Sequence, residues 1–231
     1  MSRLRFVDRT GSTNSDLLAD PAAGDGDWLI AKVQTEGRGR QGRTWVSPAG
    51  NFYGSTMIRL RDSDPPAPSL ALVAGLALIR AVEVAAPATG LMLKWPNDLL
   101  LGSGKLAGIL LERGGDRVVA GFGVNLASAP DLPDRASAAL SSIALVSPEA
   151  FAPLLAAAFA RELQRWREDL PALTGLWLES AHPVGTSLSV HSGPGELVSG
   201  TFDGLDGSGA LRLRLESGEV RVIHAADVTL G

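Results

Sequence analysis

The side chains best placed for chemistry lie in one stretch, Gln34-Thr-Glu-Gly-Arg-Gly-Arg-Gln-Gly-Arg-Thr-Trp45. Three glycines (Gly37, Gly39, Gly42) and three arginines (Arg38, Arg40, Arg43) fall within seven residues. Glycine is poor in helix and strand interiors, so the run is expected to be a loop, mobile while empty. Three guanidinium groups need acceptors wherever they are buried. Glycines let backbone approach a ligand closely, and arginines fork onto phosphate or carboxylate oxygens. An anionic ligand fits, but so do a solvated basic loop and a nucleic-acid patch. The run by itself leaves these readings open.

Four further groups carry polar side chains at chain turns: Ser12-Thr-Asn14, Lys94-Trp-Pro-Asn-Asp98, Gly104-Lys-Leu-Ala-Gly-Ile-Leu110 and Gly121-Phe-Gly-Val-Asn125. Each has an ordinary reading. Ser12, Thr13 and Asn14 are all good helix caps. Asn97-Asp98 suits a plain turn. Trp95 suits the core, Lys94 the surface, and Glu112 a solvent-facing strand position. His182, His191 and His224 are scattered and receive neither a metal nor a catalytic role. Gly102-Ser-Gly-Lys105 is not a phosphate-binding P-loop, because the upstream glycine spacing and the following Ser/Thr are missing. Gly121-Phe-Gly123 lacks the third glycine of a dinucleotide fingerprint.

Composition narrows the classes. The 231 residues allow one large domain, or one plus a small one. A formal charge of -4 argues against general nucleic-acid binding, which phosphate neutralisation drives. With no cysteine, disulfides, thiolate catalysis and Cys-ligated zinc are excluded, and a reducing cytoplasm is suited. The N-terminus shows no apolar secretory core, and the apolar run Leu70 to Ile79 is too short to span a bilayer.

The elements that must position these groups can be read in order. Leu4 to Val7 reads as a strand, and 12–19 as a loop feeding a helix that Pro21 ends. Strands are expected at Trp28 to Gln34 and Asn51 to Leu60. A buried helix begins at Pro68-Ser69, with apolar positions from Leu70 to Val84 at 3.6-residue spacing. Residues 91 to 124 read as an antiparallel meander with polar corners. Ser147-Pro148-Glu149 starts a helix that ends before Pro171, and a shorter one follows around Leu173 to Ser180. From Gly185 short strands alternate with Gly turns: Ser187 to His191, Leu197 to Leu205, Ala210 to Leu215 and Val220 to His224. That spacing suggests a small β-barrel. The expected class is α+β: a mixed, largely antiparallel sheet with helices packed on one side (1–183), and a small C-terminal barrel (184–231).

In this order and spacing the motifs resemble the biotin protein ligase family, along the whole chain. The strings GRGRQGRTW and KWPND carry the resemblance. It implies a class II synthetase-like catalytic domain and an SH3-like barrel. It also implies a two-step reaction: biotin and Mg-ATP give biotinyl-5′-AMP and pyrophosphate, then a lysine of a biotin carboxyl carrier protein displaces AMP. Carboxylate attack on phosphate sets anion against anion, so cations are expected to carry the step. By resemblance, Arg40 and Lys105 are the catalytic cations. Ser12, Thr13, Asn14, Gln34, Gly37, Arg38, Lys105 and Gly108 would hold biotin. Arg38, Arg40, Arg43, Trp45, Asn97, Asp98 and Asn125 would hold ATP or the adenylate, and Asp98 the Mg2+ ion.

Family members with an N-terminal winged helix bind operator DNA. Here the first motif begins at Ser12, so no DNA role is expected. No membrane partner is expected either, and a homodimer is open. The alternatives are a lipoate or octanoate ligase or transferase of the same superfamily, and a non-catalytic biotin-binding protein.

Overall fold

The computed structural model describes residues 3–87, 90–131, 136–193 and 196–230. Seven strands build the larger sheet: β1 (Leu4–Thr10), β2 (Trp28–Gln34), β3 (Phe52–Arg59), β4 (Leu91–Lys94), β5 (Asp98–Leu101), β6 (Gly104–Gly114) and β7 (Arg117–Val124). Their order is β1-β2-β3-β7-β6-β5-β4, with only β1 and β2 parallel. The expected meander is therefore present. Its polar corner shifts by one residue, because Asp98 opens β5 opposite Lys94 and Gly108.

Strand alternation gives this sheet two buried faces. Trp28 and Ile30 join the large core beneath helices α2 (Leu70–Ala85), α3 (Pro148–Glu168) and α4 (Leu170–Glu179). Leu29, Met57 and Val119 face the other way, under the short helix α1 (Thr13–Ala19) with its Leu17. The three long helices share one side. The short α1 lies on the opposite side, and it carries the first polar motif.

Capping decides where helices start. Ser147 accepts from the Ala150 N–H at 3.2 Å, with Pro148 in the first turn. Asp169 ends α3, and its carboxylate accepts from Ala172 N–H to start α4. Pro171 therefore sits in the first turn of α4, where its missing N–H is harmless. The Trp166 indole donates to Ser69 Oγ at 2.7 Å and locks α3 onto the start of α2. The apolar segment Ala67–Ala85 extends beyond the run at Leu70 to Ile79 and is long and apolar enough, by length and composition, to cross a membrane. Here 67% of it is buried inside the fold, as a core helix.

The second sheet holds β8 (Ser187–Gly193), β9 (Glu196–Leu205), β10 (Leu211–Arg214), β11 (Val220–Ile223) and β12 (Asp227–Leu230), in the antiparallel order β11-β10-β9-β8-β12. It matches the expected SH3-like barrel, with one strand more than the sequence suggests. Strand β12, missed there, crosses back to pair with β8. The expected turn at Ser192-Gly193 is strand, and 194–195 lie outside the described residues. The two sheets meet closely. Trp95 donates from its indole to Gly209 O at 3.1 Å, and His182 packs edge-on against Phe202 with ring centroids 4.4 Å apart.

Candidate active site

A cavity of about 860 Å³ opens between the glycine–arginine loop, the start of α1, strands β4 to β7 and strand β12. Its polar end is built at the N-terminus of α1. Ser12 caps that helix, its Oγ accepting from Ser15 N–H at 3.4 Å. The next residue, Thr13, donates its backbone N–H to Gln34 Oε1 at 2.8 Å, which joins α1 to the end of β2. Asn14 donates to Glu112 Oε2 at 2.8 Å and to Leu110 O at 3.2 Å. Its Oδ1 accepts from Ser55 Oγ at 2.6 Å, and Ser55 also meets Thr13 Oγ at 2.6 Å. Ser55 and Glu112 are thus members of a network that sequence reading missed. Glu112 is not a solvent-facing strand residue: strand alternation puts it on the Gly108 and Leu110 side of β6, against α1.

Two glycines of β7 make room for this arrangement. A Cβ at Gly121 would fall 2.1 Å from Asn14 Oδ1, and one at Gly123 would fall 2.4 Å from the Trp45 indole. Trp45 lies across Gly108 and Gly123, with Lys105 Nζ 5.5 Å from its ring centroid. Gly108, expected to face a ligand directly, is faced here by Trp45 and Lys105.

The cations line the same cavity. Lys105 Nζ lies 2.6 Å from Asp98 Oδ1, with side chains 15% and 11% exposed. Arg40 donates from Nη1 to Ala226 O at 3.0 Å, lies 3.9 Å from the Asp227 carboxylate and 3.4 Å from Asn97 Oδ1. Burial pushes the Arg40 pKa down, while Asp227 and Asp98 pull it back up. Arg43 is ion-paired to Asp227. Arg38 is half exposed, 3.9 Å from Glu36. The loop carrying them closes on itself through Trp45 N–H to Gly37 O at 2.9 Å and Gly39 N–H to Arg43 O at 2.7 Å. Gly37 stands away from the cavity lining; its place is the loop's neck, where a Cβ would fall 2.6 Å from Trp45 O. The loop is thus tied together by contacts of its own.

Asn97 and Asn125 are tied down as well as facing the cavity. Asn97 donates to Ile109 O at 2.8 Å, and Asn125 to Ala138 O at 3.1 Å and Lys105 O at 3.3 Å. The amide oxygen of Asn97 also accepts from Arg40 Nη1. Apart from Gly37, every expected site residue lines the one cavity. His191, Val228 and Thr229 of the second sheet line it too. No sequence motif marked them, because only the pairing of β12 with β8 brings them there.

Comparison with known proteins agrees with this geometry. Residues 4–126 match the model of the biotin/lipoate A/B protein ligase family, and residues 190–231 match the biotin protein ligase C-terminal domain. The chain belongs to this family. A biotin–[acetyl-CoA-carboxylase] ligase of Paracoccus denitrificans is 41% identical over 96% of this chain and 98% of its own length. The corresponding ligase of Mycobacterium tuberculosis is 37% identical, covering 98% of this chain and 88% of its own. Among solved structures, the Aquifex aeolicus biotin protein ligase in complex with biotin and ATP superposes with a TM-score of 0.86. It is 24% identical over 100% of this chain and 99% of its own. As a biotin protein ligase family member, the chain joins the family's catalytic sheet to its C-terminal barrel, and the candidate site lies where the two meet.

Proposed function

We propose that this family member is an ATP-dependent, AMP-forming ligase that activates biotin to biotinyl-5′-AMP and transfers it to a lysine of a biotin carboxyl carrier protein. The observation carrying this reading is that a polar recognition end and a cluster of cations line one cavity. Ser12, Thr13 and Gln34 suit a cyclic urea, which offers one carbonyl acceptor and two N–H donors. A dithiolane or an alkyl chain offers these groups no acceptor or N–H donor, and each polar group left without a partner costs about 1–3 kcal/mol, which disfavours lipoate and octanoate. Intact cations disfavour a protein that only sequesters biotin.

In the first step a biotin carboxylate oxygen bonds to the ATP α-phosphorus as the bond to the pyrophosphate oxygen breaks. Lys105 and Arg40 neutralise the carboxylate and the phosphoryl oxygens as they approach. Lys105 exchanges its Asp98 partner for the incoming anion, so no bare ammonium has to be buried beforehand. In the second step the carrier amine, having lost a proton, attacks the acyl carbon and AMP departs with the bonding pair. Arg38, Arg43, Asn97, Asn125 and Trp45 would hold the nucleotide. Asp98 is a single carboxylate and already faces Lys105. Among the described residues no group of three acidic or histidine side chains gathers to hold a metal. The residues therefore fit Mg2+ entering on ATP, held mainly by phosphate oxygens with Asp98 near it. When bound it would neutralise phosphate charge.

We place the catalytic unit at 1–183 and the barrel at 184–231, in a cytoplasmic protein without DNA or membrane partners; a homodimer is compatible with this. The test is exchange of labelled pyrophosphate into ATP with biotin, lipoate or octanoate present. Exchange with biotin alone supports the reading, and exchange with lipoate but not biotin overturns it.

A further inference from the structure

The hydrogen bonds at the polar end of the cavity run in one direction, and Glu112 fixes that direction. The Glu112 carboxylate and the Leu110 carbonyl can only accept, so the Asn14 group facing them must be its NH2. Asn14 Oδ1 then faces Ser55 and can only accept, which commits the single Ser55 proton to Asn14. Ser55 has no second proton for Thr13. Thr13 Oγ has two acceptors in reach, Ser55 Oγ at 2.6 Å and Gln34 Oε1 at 3.1 Å; the shorter contact, for which Ser55 has no proton left, takes the Thr13 proton. With its own proton spent, Thr13 Oγ has only lone pairs left to offer a ligand. Its backbone N–H turns Gln34 Oε1 inward, and the Gln34 amide nitrogen is that side chain's remaining donor. The middle of the relay is shielded from solvent: Thr13, Asn14 and Ser55 are buried. Reversing one link there would leave a buried polar atom unpaired.

We propose that Glu112, acting through Asn14 and Ser55, sets the polarity of Thr13 so that its hydroxyl accepts a ring N–H of the ligand. Glu112 and Ser55 are positioning residues that make the site select a cyclic urea over a ring carrying oxygen at that place. The proposal rests on the biotin reading of the site. An oxygen there would set lone pair against lone pair with Thr13, and only a reversed relay could relieve it. Leu110 O holds part of the Asn14 orientation, at 3.2 Å against 2.8 Å for Glu112. Loss of Glu112 therefore weakens the relay, and loss of Ser55 cuts it.

The test compares wild type with Glu112→Leu, Ser55→Ala and Glu112→Gln in pyrophosphate exchange. The substrates are biotin and its two cyclic carbamate analogues, in which one or the other ring N–H is replaced by oxygen. Glu112→Leu and Ser55→Ala are expected to raise the biotin KM by about 10-fold, with the ATP KM little changed. Both narrow the preference for biotin over one of the two carbamates, because the Thr13 hydroxyl is then held only by the longer 3.1 Å contact to Gln34 Oε1 and can turn to donate. Glu112→Gln, whose amide oxygen can still accept from Asn14, recovers part of the affinity lost in Glu112→Leu. An unchanged biotin KM and an unchanged carbamate preference in both deletions overturn the relay while biotin-dependent exchange in wild type stands. Equal rises in the biotin and ATP KM values, with a lowered melting temperature, also overturn it, since polarity acts only at the ring end. A wild type without biotin-dependent exchange overturns the relay and the functional reading together.

Discussion

The Arg40 guanidinium and the Asp227 carboxylate lie 3.9 Å apart, although 187 positions separate them in the chain. Arg43 pairs with the same carboxylate. The glycine–arginine loop of the catalytic sheet is thus held by the first residue of the last barrel strand. Asp227→Ala should free the loop without unfolding the barrel. Ion pairs of this exposure are worth about 0.2–1 kcal/mol each, so the pair of contacts contributes about 1 kcal/mol to loop order. The expected outcome is faster hydrogen exchange at residues 37–45 and a rise of about 5-fold in the ATP KM. Unchanged exchange rates in that segment would make Asp227 a bystander.

Arg40 and Lys105 should fail differently. Arg40 holds a loop and little of the core, so Arg40→Gly should fold, make some adenylate and release it early. Biotin would then appear on lysines of bystander protein, read alongside adenylate dissociation by filter binding. Lys105→Ala leaves Asp98 buried without its cation, at a cost of about 3 kcal/mol in stability. It should also slow adenylate formation by about 100-fold. If Arg40→Gly keeps adenylate as long as wild type, the loop arginine has no retaining role.

Gly121 has a steric task. A methyl there would meet Asn14 Oδ1 at 2.1 Å, so Gly121→Ala must displace Asn14 or the strand. We expect a loss of about 1–3 kcal/mol in stability, together with weaker biotin binding. Adding Asn14→Ala should return much of the stability but not the biotin affinity. Chemical denaturation and calorimetric titration with biotin would separate the two effects, and a Gly121→Ala protein of wild-type stability would refute the clash.

His182 gives the fold an acid sensitivity. It is buried where the two sheets meet, neither ring nitrogen has a hydrogen-bond partner among the described residues, and its ring packs against Phe202. Burial, with Lys94 nearby, pushes its pKa down to about 4 from the ordinary 6.5. Between those values the unfolded chain binds the proton and the folded one does not. Stability is therefore full above about pH 6.5 and is lost as pH falls towards 4, by about 3 kcal/mol from this group. Urea midpoints across pH 4–7 should show that slope, and His182→Phe should flatten it. Equal slopes in both proteins would remove His182 from the acid response.

Much of this molecule was written locally. Ser147-Pro148-Glu149 starts α3 because cap, proline and acid act within one turn of helix. The strands from Leu91 to Val124 announce themselves because short turns with Gly and Asn join neighbours in the chain. The candidate site residues were legible for the same reason: glycines and arginines packed into seven positions have few structural uses. What reads poorly is any residue whose meaning depends on a distant partner. Glu112 looks like a charged strand residue until α1 lies over β6 and Asn14 arrives at 2.8 Å. Ser55 is one hydroxyl in a buried strand until Thr13 and Asn14 meet on it.

The sequence by itself determined which residues are polar at the turns, most of the helices and strands, and that cations and hydroxyls sit on one chain in a recognisable order. Those follow from interactions spanning a few residues. Only the tertiary structure decided that β12 crosses back to β8, that Asp227 therefore reaches Arg40 and Arg43, and that Glu112 directs the protons at Thr13. Such pairings join residues dozens to nearly two hundred positions apart. They depend on where packed layers bring backbone together, and no local pattern encodes that.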